Sequence, residues 1–129
     1  TKLEIVPESR FNEIKNVINN DLQDISISRK NQGWGIPIPW DESQVIYVWF
    51  DALLSYLTGI GFGTDEEKFN GLWKNSCHFI GKDITRFHCV LFPAMIEAYN
   101  QGSDKKIKYP KKVFSHGFII QKKDDELIN

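Results

Sequence analysis

The chain lacks a charge of one sign, a cysteine framework and a long apolar run, and each absence removes a class of function. Its 129 residues carry 16 basic and 17 acidic side chains, a net charge of −1. The overall balance therefore gives no attraction to a polyanion such as nucleic acid, and any such contact must come from a local patch. The only cysteines, Cys77 and Cys89, each sit beside a histidine. They form no CxxC pair and match no zinc-module spacing, so they read as reduced, buried thiols in preference to metal ligands, and no metal site is expected. No run of about 18 apolar residues is present to span a membrane. The opening TKLEIVPESR lacks a charged-then-apolar leader pattern. The expectation is a soluble, cytoplasmic protein with no membrane partner, an organelle being the alternative location.

What is present argues for a packed body. Hydrophobic residues make up 41% and aromatics 13%, with four Trp and nine Phe, in a length that suits one domain. The densest stretch is VIYVWFDALLSY, from Val45 to Tyr56. Its first half, Val45 to Phe50, is β-branched or aromatic at nearly every position, which predicts a strand buried on both faces of a parallel sheet. Asp51 then stands where a helix N-cap belongs, and Leu53, Leu54, Leu57 and Ile60 follow at helical spacing. Open α/β sheets bind ligands where a strand's C-terminus feeds a helix, and Trp49, Ala52 and Tyr56 would lie at that mouth. Plain core is the competing reading of these aromatics.

Elsewhere the pattern is similar. Phe11, Ile14, Val17 and Ile18 share one face of a helix opened by Pro7 and Glu8 and ended by Asn19 to Asp21. Asp24 to Ser28 alternates as a short strand ending at Arg29 and Lys30, and the Gly- and Pro-rich NQGWGIPIPWDES reads as loop. A Gly-rich hinge, GIGFGT, precedes a short helix in DEEKFNGLWKN. Ser76 to Gly81 reads as a second buried strand, with Asp83 as cap of a helix through Phe87, Val90, Leu91, Ala94, Met95 and Ala98. Val113 to Ile120 reads as a third strand region, broken at His116 and Gly117, and the tail QKKDDELIN as exposed. The fold class is α/β, a partial doubly wound, Rossmann-like parallel sheet with flanking helices. Three core strands are few for such a sheet, which suggests a piece of a larger fold.

Three signatures stand at successive strand ends: YVWFDA with Tyr56 one turn beyond, FIGKDITRFH, and VFSHGF. In this order, with SISR and WGIP before them, they resemble the methionyl-tRNA synthetases, class I enzymes with a Rossmann catalytic domain. The resemblance covers roughly residues 24–118. It implies that residues 1–30 are the helix and short strand leaving the connective-peptide insertion, and that 31–129 are the second half of the catalytic domain. The family's HIGH-type and KMSKS-type motifs do not occur in the chain, and no zinc-knuckle cysteines or anticodon-binding segment are recognised.

The resemblance also implies roles. Trp49, Ala52, Leu53, Tyr56, Phe87 and His88 match methionine-pocket positions, with the aromatics as walls and the tyrosine and histidine as polar groups near the sulfur. An unbranched thioether is recognised by shape and soft contacts, which suits these side chains. A hydrophobic core with one satisfied histidine is the alternative from the residues alone. Gly81 and Asp83 match the GxD element that approaches the ATP ribose, Asp83 having the helix cap as its other reading; His116 and Gly117 match the pair beside the ATP site. Arg29 matches an arginine near the reacting groups, against simple solvent exposure. His78 matches nothing and reads as structural. The implied substrates are methionine, ATP with Mg²⁺, and tRNA(Met). The implied reaction forms methionyl-adenylate and charges the tRNA, and without the two phosphate-contacting motifs the chain alone is expected to be inactive. Two other functions fit the fold: a class I synthetase for leucine, isoleucine or valine, and a non-catalytic remnant serving as a binding module. Open sheet edges would favour self-association.

Overall fold

In the computed structural model, which describes residues 2–123 and 126–128, a short strand β1 (Glu4–Val6) runs into Pro7 and the helix α1 (Glu8–Asn20). Pro7 is the cap residue, with φ −73° already near the helical value that its ring enforces. The expected apolar stripe of α1 is present but unevenly covered: Ile14 and Val17 are buried, whereas Phe11 and Ile18 stay exposed. The helix ends at Asp21, whose N–H donates to the Val17 carbonyl.

Next come β2 (Ser28–Lys30), β3 (Pro37–Ile38) and β4 (Asp41–Ile46), an antiparallel sheet in the order β2-β4-β3. The strand expected at Asp24 to Ser28 thus begins only at its last residue, and Leu22, Ile25 and Ile27 before it are exposed. The expected loop holds β3, where Pro37 is tolerated because the strand lies on a sheet edge. Gly35 makes this sheet possible. At φ +133°, a Cβ there would stand 2.9 Å from the Val45 Cβ.

The predicted buried strand over Val45 to Phe50 is not formed. Only Val45 and Ile46 are strand, at the end of β4; Tyr47 is extended and Val48 starts the helix α2 (Val48–Thr58). An unbroken apolar run has no period to separate strand from helix, and here it divides between them. Asp51 is consequently not the cap. It sits in the first turn, where the helix dipole still favours a carboxylate.

Helix α3 (Glu66–Trp73) follows, capped by Asp65, which accepts from the Lys68 N–H at 3.0 Å. Then come β5 (Cys77–Gly81), a 3₁₀ turn (Lys82–Ile84), a π turn (Phe87–Leu91), α4 (Phe92–Gly102) and β6 (Lys112–His116). Asp83 lies inside the 3₁₀ turn and makes no capping hydrogen bond, so its expected cap role is not realised. The third strand region stops at His116, leaving Phe118, Ile119 and Ile120 exposed. The backbones of β7 (Gln121–Lys123) and β8 (Glu126–Ile128) pair antiparallel; the expectation of an exposed tail falls outside the residues whose side chains are described.

The parallel sheet has the order β1-β6-β5, with β6 paired to both neighbours. Its third strand is therefore β1, three residues too short to register as a periodic pattern. One side of the sheet, carrying His78, Ile80, Val113 and Ser115, is buried. Ile80 and Val113 pack with Ile14 and Cys89, and a second cluster joins Leu53, Leu57, Phe69, Trp73, Phe92 and Ile96 from α2, α3 and α4. The opposite side carries Phe79 and Phe114, ring centroids 5.6 Å apart and both exposed. Cys77 shares that side and is exposed, against expectation, while Cys89 is buried as expected. No helix of the described residues is long and apolar enough to cross a membrane.

Candidate functional site

The strand-to-helix junctions bring most of the expected residues into two adjoining groups. The first lies between α2 and the π turn. Trp49 and Tyr56 are seven residues apart and so share one face of α2. Trp49 stacks flat on Phe87, with centroids 4.0 Å apart and planes 7° from parallel. Tyr56 reaches the next residue, its hydroxyl 2.9 Å from His88 Nε2. Ala52 is half-buried between them in sequence. Leu53 has no exposed surface and packs into the core behind the aromatic wall.

The protons of this group can be assigned. His88 Nδ1 lies 3.0 Å from the Ile84 carbonyl, which can only accept, so Nδ1 carries the hydrogen. Burial lowers the His88 pKa from its usual value, partly offset by that bond to Ile84, and the ring is neutral near pH 7. Its Nε2 is then an acceptor, and the Tyr56 hydroxyl donates a hydrogen bond to it. The tyrosine oxygen accordingly offers lone pairs, rather than a proton, to anything that approaches from solvent.

The second group stands at the C-terminal ends of β5 and β6, where Gly81 pairs with His116. Gly81 leaves room for this arrangement: a Cβ there would come 2.6 Å from Asp83 Oδ1, so with any other residue the carboxylate would have to turn away from the strand end. Asp83 itself is exposed. His116 Nδ1–H donates to the Gly117 carbonyl at 2.6 Å, which leaves Nε2 as the acceptor nitrogen of the neutral ring. The two groups are joined through Ile84, whose carbonyl, directly after Asp83, orients His88.

Arg29 stays apart from both. It is exposed but not free: its guanidinium carbon lies 3.6 Å from the Tyr47 ring centroid, and Nη1 donates to the carbonyls of Ser26 and Ser28.

Two contacts at the strand ends left no recognisable mark in the sequence. Thr85 Oγ1 donates its one proton to the Lys82 carbonyl at 2.9 Å, so Ser115, 2.6 Å away and equally buried, must donate to Thr85. That pair ties the 3₁₀ turn to β6. Lys82 also holds its ammonium 4.4 Å from the Phe118 ring centroid. A short polar side chain inside a motif gives no hint of its partner thirty residues on. Among the described residues no group of three or more His, Cys, Asp or Glu is placed to hold a metal ion.

A sequence profile described as "tRNA synthetases class I (M)" matches residues 2–125. The methionine–tRNA ligase of Streptomyces coelicolor is 44% identical over 116 residues, covering 90% of this chain and 20% of that protein. The methionine–tRNA ligase of Mycoplasma pneumoniae is 42% identical over 126 residues, with 92% and 23% covered. Among solved structures, the Mycobacterium tuberculosis methionyl-tRNA synthetase bound by methionyl-adenylate matches with a TM-score of 0.77 at 42% identity, over 90% of this chain and 22% of that one. The chain thus spans about a fifth of the length of these relatives.

Proposed function

The chain belongs to the class I (M) family of tRNA synthetases, and from that premise we propose that it supplies the methionine pocket and the ribose side of the ATP site of a methionine–tRNA ligase. The observation that carries this reading is the continuous link Tyr56–His88–Ile84, which couples a soft aromatic pocket to the turn holding Gly81 and Asp83. Trp49 and Phe87 act as walls for an unbranched apolar side chain, and the Tyr56 oxygen meets the polarised carbons beside its sulfur. Asp83 accepts from the ribose hydroxyls, and His116 and Gly117 flank the nucleotide at the neighbouring strand end.

The reaction is attack of the methionine carboxylate on the ATP α-phosphate, releasing pyrophosphate, followed by transfer of the methionyl group to the 3′ end of tRNA(Met). Such a step needs in-line positioning and neutralisation of phosphate charge by cations and the Mg²⁺ that accompanies ATP. These 129 residues contribute positioning; they contain neither a HIGH-type nor a KMSKS-type motif. By itself the polypeptide therefore binds methionine without activating it.

Calorimetric titration with methionine, leucine, isoleucine and valine tests the pocket, with methionine expected to bind tightest. Equal or tighter binding of any of the other three, or no binding of methionine, removes the assignment. Methionine-dependent pyrophosphate exchange by the chain alone would refute its inactivity.

A further inference from the structure

We propose that His78 is a positioning residue for the methionine subsite: packed at right angles against the Tyr56 ring, it holds the tyrosine where its hydroxyl reaches His88. This rests on the assignment of Tyr56 to the methionine pocket. No strand-end motif includes His78, and by sequence it is simply a polar residue inside β5. In the fold its ring centroid lies 4.5 Å from that of Tyr56 with the planes at 87°. Its other aromatic neighbours are more distant, at 5.8 Å for His88 and 6.1 Å for both Trp73 and Phe92. Those rings surround the imidazole, and the pairing of His78 with Val113 holds its backbone in the sheet.

Tyr56 needs such a stop. It is 38% exposed and borders a cleft of about 370 Å³ that is also lined by Ile60, Trp73, Ser76, His78 and Ile80. The cleft gives the phenol room to swing away from the pocket. Against that motion stand the single hydroxyl bond to His88, the perpendicular packing on His78 at 4.5 Å, and looser tilted contacts with the His88 and Phe92 rings at 5.6 and 6.0 Å. Burial, and then the neighbouring His88, lower the His78 pKa to about 4, so the contact is between two uncharged rings at neutral pH. A perpendicular pair of this kind, with the hydroxyl bond that depends on it, corresponds to roughly a tenfold change in affinity for a ligand that uses Tyr56.

The positioning is read first without ligand, from the ¹⁵N resonance of His88 Nε2, the acceptor of the Tyr56 hydroxyl. His78→Ala is expected to move this resonance toward its value in Tyr56→Phe, where the bond is gone, and His78→Phe to leave it at the unsubstituted value. An unchanged resonance in His78→Ala overturns the proposal. Should that variant fail to fold, His78→Leu, which keeps volume without the planar ring, replaces it. Methionine titrations then read the consequence. His78→Ala weakens binding about tenfold, His78→Phe restores it, and His78→Ala adds nothing in a Tyr56→Ala background, because its effect runs through the tyrosine. Additive losses would make His78 an ordinary core residue and sink the idea. An unsubstituted chain with no methionine affinity overturns the pocket assignment instead, while the His88 resonance still decides whether His78 positions Tyr56.

Discussion

Lowering the pH from 7 to 5 should destabilise the folded chain through two buried histidines. His78 falls from the ordinary 6.5 to about 4, chiefly by burial, and His88 is lowered for the same reason. The sign follows from proton counting. Between pH 6.5 and 4 the unfolded chain binds a proton on His78 that the folded chain refuses, so stability is fully present above 6.5 and is lost as the pH falls toward 4. For His78 alone, linkage gives a loss of just under 2 kcal/mol at pH 5, and solvent screening of a site beside an open cleft reduces this to about 1 kcal/mol. His88 contributes in the same direction. Urea unfolding at pH 7, 6 and 5 measures the loss, and a total stability of 5–15 kcal/mol for an ordinary domain makes about 1 kcal/mol readable. His78→Phe, which cannot take up the proton, should flatten the dependence. Equal stability at pH 7 and 5, or an undiminished slope in His78→Phe, would refute the picture of two neutral rings against Tyr56. The same protonation also bears on the pocket: a charged His88 has no acceptor to offer, so the Tyr56 proton must turn outward.

Other outcomes can be checked on the same material. Gly81→Ala places a methyl group 2.6 Å from Asp83 Oδ1; the carboxylate is exposed and can swing away, so the melting temperature should fall little, by less than about 1 kcal/mol of stability. Nucleotide binding, followed by calorimetry with ATP, should drop about tenfold or more as charge-assisted bonds to the ribose are lost, and an unchanged affinity would remove Asp83 from that role. For the thiols, a chromogenic disulfide reagent at pH 8 should modify one equivalent in the folded chain, the exposed Cys77. Cys89, buried and with its pKa pushed up to about 12, should react only after denaturation; two fast equivalents in the native state would contradict its burial.

The α/β class with its parallel sheet was legible in the sequence, and so was the family through its strand-end signatures, whereas the bounds and identity of several strands were not. Gly81 and Asp83 were singled out only through the resemblance, as a strand-end GxD element; the 2.6 Å approach of a Gly81 Cβ to Asp83 Oδ1 is a contact that the motif does not announce. The run VIYVWF could not be divided, since β-branched and aromatic residues suit a buried strand as well as the first turn of a buried helix. Nor could β1 be seen, three residues stabilised by pairing with β6 more than a hundred positions away. The hidden factor common to the pocket is helical phase. Trp49 and Tyr56 lie two turns apart on α2, about 10 Å along its axis, yet their partners Phe87 and His88 are consecutive. In a regular α-helix consecutive side chains diverge by about 100°, which favours one partner over the other. The π turn at Phe87–Leu91 fits more residues into a turn and narrows that angle, so both side chains can face α2. A spacing rule applied to FIGKDITRFH places Phe87 and His88 on a helix but not on a common face; their convergence depends on a backbone irregularity that nothing in the amino-acid pattern announces.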